Sequence, residues 1–126
     1  MSLQLTYEYQ LDVGLIDHSS IIAHMKSVLN TFAAKPQYSK FYIGITSDLE
    51  NRKLDHQRNK PEYVLMCAIY KDETNIVANS FHNLERDAIN AMRGGIRHPV
   101  NNQVLLRCAN GPGGSLAKNW LYILVG

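Results

Sequence analysis

The chain is poor in the features that define several large classes of protein. It has two cysteines in 126 residues, and none of its apolar runs reaches the roughly 18 residues that a membrane-spanning helix needs. Cys67 and Cys108 are far apart in sequence, which predicts buried thiols rather than a disulfide or a zinc site. The opening ten residues have no basic segment ahead of an apolar core, so we expect no signal peptide. These absences favour the reducing cytoplasm and exclude a membrane from the expected partners.

The composition and charge that are present are those of an ordinary globular protein. A length of 126 residues predicts one domain, 1–126, that can bury a hydrophobic core without disulfide bonds or a structural metal. The formal net charge is only +2, but the basic excess is concentrated in two segments. Residues 40–60 carry five Lys/Arg against three Asp/Glu, and residues 85–107 carry four against two. This distribution is a weak indication of a polyanionic partner.

Hydrophobic periodicity predicts an α/β (α+β) domain with a small mixed or mainly antiparallel sheet flanked by helices. Strands are predicted at 5–13, 40–46, 63–72 and 119–126, and helices at 17–35, 49–58 and 78–93. The segment 103–109 reads either as a short strand or as the start of a helix. In the second helix, which Ser47 or Asp48 caps, Leu49 and Leu54 are expected to face the core.

The stretch "KFYIGITSDLENRKLDHQ" (40–57) places three chemically active side chains around one corner of strand and helix. Tyr42 and Gly44 lie in the predicted strand, and the glycine lets another group approach the backbone closely. Arg52 and His56 are four positions apart, so they share one face of the predicted helix. The preceding strand can place Tyr42 opposite them.

This arrangement resembles the GIY-YIG nuclease family. The matching residues are Tyr42-Ile43-Gly44 and then Leu49-x-x-Arg52-x-x-x-His56, followed by a strand and by a helix that carries Glu85 in "NLERDAI". Further on, Pro99 with Asn101 or Asn102 matches the proline and asparagine that often follow in the family. The resemblance covers about residues 40–102.

The resemblance implies a metal-dependent endonuclease that hydrolyses phosphodiester bonds in DNA, with RNA as an open alternative. Its implied catalytic residues are Tyr42, Arg52, His56 and Glu85. Arg52 would bind the phosphate, Tyr42 and His56 would share proton transfer, and Glu85 would hold Mg²⁺ or Mn²⁺. Arg52 and Glu85 are both expected to be exposed on their helices.

Several further residues are candidates for binding nucleic acid around this site. Asn102 could orient a loop or a phosphate. Four basic side chains flank the motif and could contact a nucleic acid backbone: Lys40, Lys53, Arg58 and Lys60. The residues after Asn102 are too few and too apolar for a separate recognition module, so weak sequence preference, a homodimer or a targeting partner is expected.

One part of the family pattern is missing, because nothing before the Tyr42 strand reads G-I-Y. Two replacements for its tyrosine are open. The segment "TYEYQL" could supply Tyr7 or Tyr9 with a helix inserted after it, or the final strand "WLYILV" could supply Tyr122 as in a circularly permuted domain. The gap also leaves open a non-catalytic domain that binds nucleic acid or protein and keeps only the fold.

Overall fold

A computed structural model of the chain describes residues 3–11, 18–71, 78–110 and 120–126, with the side chains of 18 and 78–84 outside that description. Over these residues the chain forms three helices and six strands. The strands are β1 Gln4–Thr6, β2 Lys40–Thr46, β3 Leu65–Lys71, β4 Ile96–Arg97, β5 Val104–Cys108 and β6 Trp120–Val125. The helices are α1 His18–Ala33, α2 Leu49–Asn59 and α3 Ala78–Met92. The predicted α/β class is confirmed.

The six strands form one mixed sheet in the order β1-β3-β6-β2-β5-β4. Strand β6, the last in sequence, lies between β3 and β2 and pairs antiparallel with both. β1 runs parallel to β3, and β5 runs parallel to β2. Elements from both ends of the chain therefore meet in the same sheet.

The two faces of the sheet carry separate hydrophobic cores. The larger core packs α1 and α3 against one face, and it includes Phe41, Ile43, Leu121 and Ile123. The smaller core lies on the opposite face under α2, and its buried members are Leu3, Leu49, Tyr63, Met66, Ala68, Tyr122 and Leu124. Because neighbouring residues on a strand alternate between faces, Tyr42 and Gly44 belong to the α2 side.

The position of β6 explains its composition. All five residues from Leu121 to Val125 are buried, since strands pair along both of its edges and helices cover both of its faces. Apolar residues on both faces of a strand are typical of a strand buried within a sheet. β6 pairs directly with the Tyr42 strand, with Tyr42 opposite Leu124 and Gly44 opposite Tyr122.

Other predictions at this level need correction. β1 covers three residues, and residues 7–10 form a turn in which the Tyr7 carbonyl accepts a hydrogen bond from the Gln10 amide at 3.1 Å. For the segment 103–109, where strand and helix were both open, the strand is confirmed, and it pairs with β2 and β4. Leu54 is 52% exposed instead of facing the core. It lies two positions from the buried His56, about 200° around the helix.

Both cysteines are free thiols. Cys67 is buried, as predicted, whereas Cys108 is only half-buried. Burial raises the pKa of the Cys67 thiol to about 12. In the part of the chain that the structure describes, no helix is long and apolar enough to cross a membrane.

Leu124→Ala should strongly lower the free energy of unfolding, because Leu124 is fully buried in the central strand. We expect a loss of about 2–5 kcal/mol in urea unfolding. Leu54→Ala makes the same chemical change on the exposed side of α2 and should cost within about 0.5 kcal/mol. Equal effects of the two changes would contradict the placement of β6 at the centre of the sheet.

Candidate active site

The site is built around a close approach between β6 and β2. Gly44 pairs with Tyr122, and a Cβ placed on Gly44 would overlap the phenol ring and hydroxyl of Tyr122. The backbone of Gly44 has no positive φ, so the glycine is needed for space and not for conformation. The missing side chain lets the Tyr122 ring lie across β2 toward α2.

Helix α2 brings the basic side chains to the same place. Its first turn is capped by Asp48, whose carboxylate accepts a hydrogen bond from the Asn51 amide at 3.1 Å. The cap starts the helix two residues after β2 ends, so α2 turns back over the sheet face that carries Tyr42 and Tyr122. Leu49 anchors the helix in the smaller core, and His56 is buried two turns later.

Tyr122 joins His56 to Arg52 through its hydroxyl group. The Tyr122 oxygen lies 2.7 Å from Nε2 of His56, and a side-chain hydrogen bond links it to Arg52. Arginine can only donate, so the Tyr122 oxygen accepts from Arg52. The contact between Tyr122 and His56 has two possible directions, and the tautomer of His56 decides which group donates.

The pKa shifts of these groups follow from their burial. Desolvation lowers the pKa of His56 to about 4, helped by the positive charges of Arg52 and Lys60 and opposed by Asp55. Desolvation also raises the pKa of Tyr122, and the nearby Tyr42 and Glu85 raise it further against the effect of Arg52. The hydrogen bond to Tyr122 raises the pKa of Arg52. At neutral pH the cluster therefore holds a neutral imidazole, a protonated phenol and a guanidinium cation.

Tyr42 lies on the other side of His56 from the network. Its ring centroid is 5.6 Å from that of His56. The ring centroids of His56 and Tyr122 are also 5.6 Å apart. The Lys60 ammonium sits 5.0 Å over the Tyr42 ring. Burial raises the pKa of Tyr42, with Glu85 adding to the shift and Arg52 opposing it. His56 thus packs between two protonated phenols and makes its hydrogen bond to Tyr122.

For Glu85, on α3, the expectation of an exposed carboxylate is wrong. The residue is 6% exposed, because the buried stripe of α3 continues from it through Ala88, Ile89 and Met92. Its charge raises the pKa of Tyr42 and of Tyr122. The structure therefore brings Tyr42, Arg52, His56 and Tyr122 together, and Glu85 acts on the two phenols through its charge.

The oxygen donors of the site are compatible with a hard divalent cation. Within the described ranges no three His, Cys, Asp or Glu side chains cluster as a metal cage. Mg²⁺ does not require one, since it commonly binds through one or two carboxylates, waters and substrate phosphate. Glu85 is the residue here that would hold it.

None of the protein-family models, curated proteins or solved structures compared with this chain matches it. The family resemblance therefore remains a prediction, and the geometry of the site is the basis for any functional conclusion.

The four basic residues predicted to contact nucleic acid differ in how close they lie to the site. Lys60 covers Tyr42, and Lys40 lies on the same sheet face, 5.1 Å from the Tyr63 ring centroid and 3.3 Å from the Glu62 carboxylate. Lys53 is half-buried on α2. Arg58 is exposed and, like Leu54, two positions from His56, so it points to the far side of the helix.

Asn102 lies at the other end of the sheet. It has a φ of 61°, a left-handed conformation that asparagine tolerates, in the turn that joins β4 to β5. Its carbonyl accepts a hydrogen bond from Arg97 at 3.1 Å. Because β5 runs parallel to β2 with Arg107 beside Lys40, this turn sits at the start of β2, away from Gly44.

Sequence reasoning missed a different asparagine that lies close to the site. The Asn110 side chain accepts from the Ile43 amide at 2.8 Å and donates to the Ile43 carbonyl at 2.7 Å. The last backbone hydrogen bond between the two segments runs from the Ala109 amide to the Phe41 carbonyl. The side-chain amide of Asn110 continues the pairing of β5 with β2 by one more step. Asn110 thus fixes the backbone of β2 between Tyr42 and Gly44. The partners are 67 positions apart, and no local pattern indicates such a pair.

Gly44→Ala should displace the Tyr122 ring and destabilise the domain. The added methyl group has no room beside the phenol, and overpacking of this kind costs about 1–3 kcal/mol. Gly94→Ala is the control, since no heavy atom lies within 4 Å of its Cβ position. Thermal unfolding of both variants would measure the difference, and an unchanged melting temperature in Gly44→Ala would contradict the packing described.

The burial of His56 should make stability depend on acid. Its pKa is about 4 in the folded chain and about 6.5 when unfolded, so only the unfolded chain takes up this proton in that window. The free energy of unfolding should therefore fall as pH drops from about 6.5 to 4 and should not depend on His56 above it. Urea unfolding across the window should show a steeper fall for the native chain than for His56→Gln. Parallel curves would mean that His56 titrates normally.

Proposed function

We propose that the chain is a metal-dependent endonuclease of the GIY-YIG type that hydrolyses phosphodiester bonds in DNA. One observation carries the proposal: Tyr122, from the last strand, joins Tyr42, Arg52 and His56 in a single cluster that Glu85 approaches from α3. The sequence motif predicted four of these residues as a set, and packing adds the second tyrosine.

The position of β6 supports the permuted arrangement over the N-terminal alternative. Tyr122 lies on the strand directly beside β2, where the resemblance requires the missing tyrosine. β1 is separated from β2 by β3 and β6. Tyr7 therefore follows a strand that two other strands separate from Tyr42, and Tyr9 packs on the α1 side against Phe32.

The hydrogen bonds favour a proton path through Tyr122. Nε2 of His56 contacts the hydroxyl of Tyr122, and with its proton on Nδ1 the imidazole accepts the Tyr122 proton. Tyr122 is fully buried, so the path requires that substrate binding admit the attacking water to its hydroxyl. The water's proton then passes to the Tyr122 oxygen as the Tyr122 proton passes to Nε2, which assigns the attacking side to Tyr122. Tyr42 keeps its proton at neutral pH because its pKa is raised, so it can donate to the leaving oxygen.

Arg52 and Glu85 supply the charges that phosphoryl chemistry needs. Arg52 is exposed at its outer end, and its planar guanidinium can bind phosphate oxygens while it donates to Tyr122. A divalent cation bound at Glu85 would polarise the phosphate oxygens and offset the developing negative charge. Lys40 and Lys60 lie on the same face and add positive potential along the approach of the strand.

A second function is favoured because the polar groups of the site already bond to one another. His56 and Tyr122 share a hydrogen bond, and the phenols of Tyr42 and Tyr122 are both protonated at neutral pH. A cluster of this kind would also suit a non-catalytic domain that binds nucleic acid and uses the pair for structure. Cleavage with added metal separates the two functions.

Purified protein with Mg²⁺ or Mn²⁺ should nick plasmid DNA, and EDTA should stop the reaction. Arg52→Ala should slow cleavage by about 100-fold or more, because it removes a donor to the phosphate. Tyr122→Phe should also slow it by about 100-fold by breaking the proton path. Glu85→Gln preserves the buried shape, removes the carboxylate that would hold the cation, and should abolish most of the metal-dependent cleavage. Gel quantification of nicked plasmid over time measures all three.

The controls are exposed residues of the same type outside the site. Arg93→Ala, after the end of α3, and Glu50→Gln, in the first turn of α2, should leave the rate within about twofold. Absence of cleavage of plasmid, single-stranded DNA and RNA by folded protein would favour the binding domain. Cleavage that survives Arg52→Ala and Tyr122→Phe would place the active site elsewhere.

A further inference from the structure

An aromatic cluster with a lysine lies next to the site, at the end of the sheet where β2 ends. Trp120 pairs with Thr46 of β2 and with Lys71 of β3. It is two positions from Tyr122 on the same strand, so it lies on the same face at a separation of roughly 7 Å. Tyr7, just after β1, completes the group, which we call the Tyr7 cluster (Tyr7, Lys71 and Trp120).

The side chains of the Tyr7 cluster touch one another. The Tyr7 and Trp120 ring centroids are 5.8 Å apart with an interplanar angle of 62°, an edge-to-face contact. The Lys71 ammonium lies 5.2 Å over the Trp120 ring. Trp120 and Lys71 are half-buried, while Tyr7 is 49% exposed. Trp120 thus holds an exposed tyrosine in place beside a cation.

The backbone also fixes Tyr7. Its position after β1 is set by the parallel pairing of β1 with β3, and its carbonyl closes a turn with the Gln10 amide. The charge of the neighbouring Glu8 acts on Tyr9 and Cys67, on the other side of the sheet. Among the described residues, Lys71 is therefore the charged group in contact with the rings of the Tyr7 cluster.

We propose that the Tyr7 cluster is a subsite for an unpaired base of a DNA strand, a proposal that rests on the proposed function and extends it. The base stacks on the exposed ring of Tyr7, and Lys71 pairs with an adjacent phosphate. An exposed aromatic ring supported by a second ring and flanked by a cation is the combination that binds single strands without reading sequence.

The subsite gives the bound strand a direction across the sheet. Lys40 and Lys60 lie toward the Tyr42 end of the site, and the Tyr7 cluster lies beyond Tyr122 at the other end. A strand held at both ends passes the Arg52–Tyr122 hydrogen bond between them. The stacked base is therefore expected on the Trp120 side of the cleaved bond.

Trp120 makes the subsite directly observable, because it is the single tryptophan of the chain. The full chain in EDTA is titrated with a single-stranded DNA oligonucleotide while tryptophan emission is recorded. We expect a change in emission that saturates, and a much smaller change with an abasic oligonucleotide of the same length. Chelation keeps this measurement independent of cleavage.

Two pairs of variants separate stacking from charge in the binding of labelled oligonucleotide. Tyr7→Ala should weaken binding about five- to tenfold, while Tyr7→Phe keeps the ring and should stay near the native value. Lys71→Met should reduce the slope of log binding constant against log salt by about 0.7. Lys26→Met, exposed on α1 and on the opposite side of the sheet, should leave that slope unchanged.

The outcomes distinguish this proposal from the proposed function. Emission changes and a Tyr7→Ala defect without any plasmid cleavage would support the subsite and count against the nuclease. Cleavage with no emission change, or with Tyr7→Ala binding like the native chain, would overturn the subsite alone. Absence of both oligonucleotide binding and plasmid cleavage would overturn both, and a response to RNA only would overturn the assignment to DNA.

Discussion

The packing of the Tyr122 ring over Gly44 is the contact on which the site depends. It needs a glycine at position 44 of β2 and a tyrosine opposite it, at position 122 of the central strand β6. The ring then extends under α2, and the hydroxyl reaches Nε2 of His56 at 2.7 Å. A larger residue at position 44 would push the ring away and leave both buried polar groups without their partner.

Burial of this network determines its electrostatic state. Removing the groups from water disfavours every charged form, so the pKa of His56 falls and the pKa values of Tyr42 and Tyr122 rise. Arg52 keeps its charge because it ends in solvent and donates to Tyr122. The protein alone therefore holds two protonated phenols and one neutral acceptor. Such a state suits proton transfer once an anionic ligand and a cation arrive.

The sheet places different chemistry at the two ends of this network. Lysines lie above the tyrosine rings at the Tyr42 end, whereas an exposed aromatic pair lies past Tyr122. The difference arises because α2 begins near the end of β2 and runs back over the sheet, so its basic last turn reaches Tyr42 and leaves Trp120 beyond its first turn. An extended anionic ligand would meet charge at one end and stacking surfaces at the other.

Local sequence determined the elements whose patterns are complete within a few residues. Strand β2, the Asp48 cap and the shared face of Arg52 and His56 follow from neighbouring residues, and structure agrees with them. Tertiary structure decided what depends on distant partners. Strand pairing placed Tyr122, and not Tyr7 or Tyr9, on the strand beside Tyr42. Helix packing left Leu54 exposed and Glu85 buried, and the Asn110 side chain bonds to Ile43, 67 positions away. Helical and strand periods say which residues share a face, but only packing decides which face is covered.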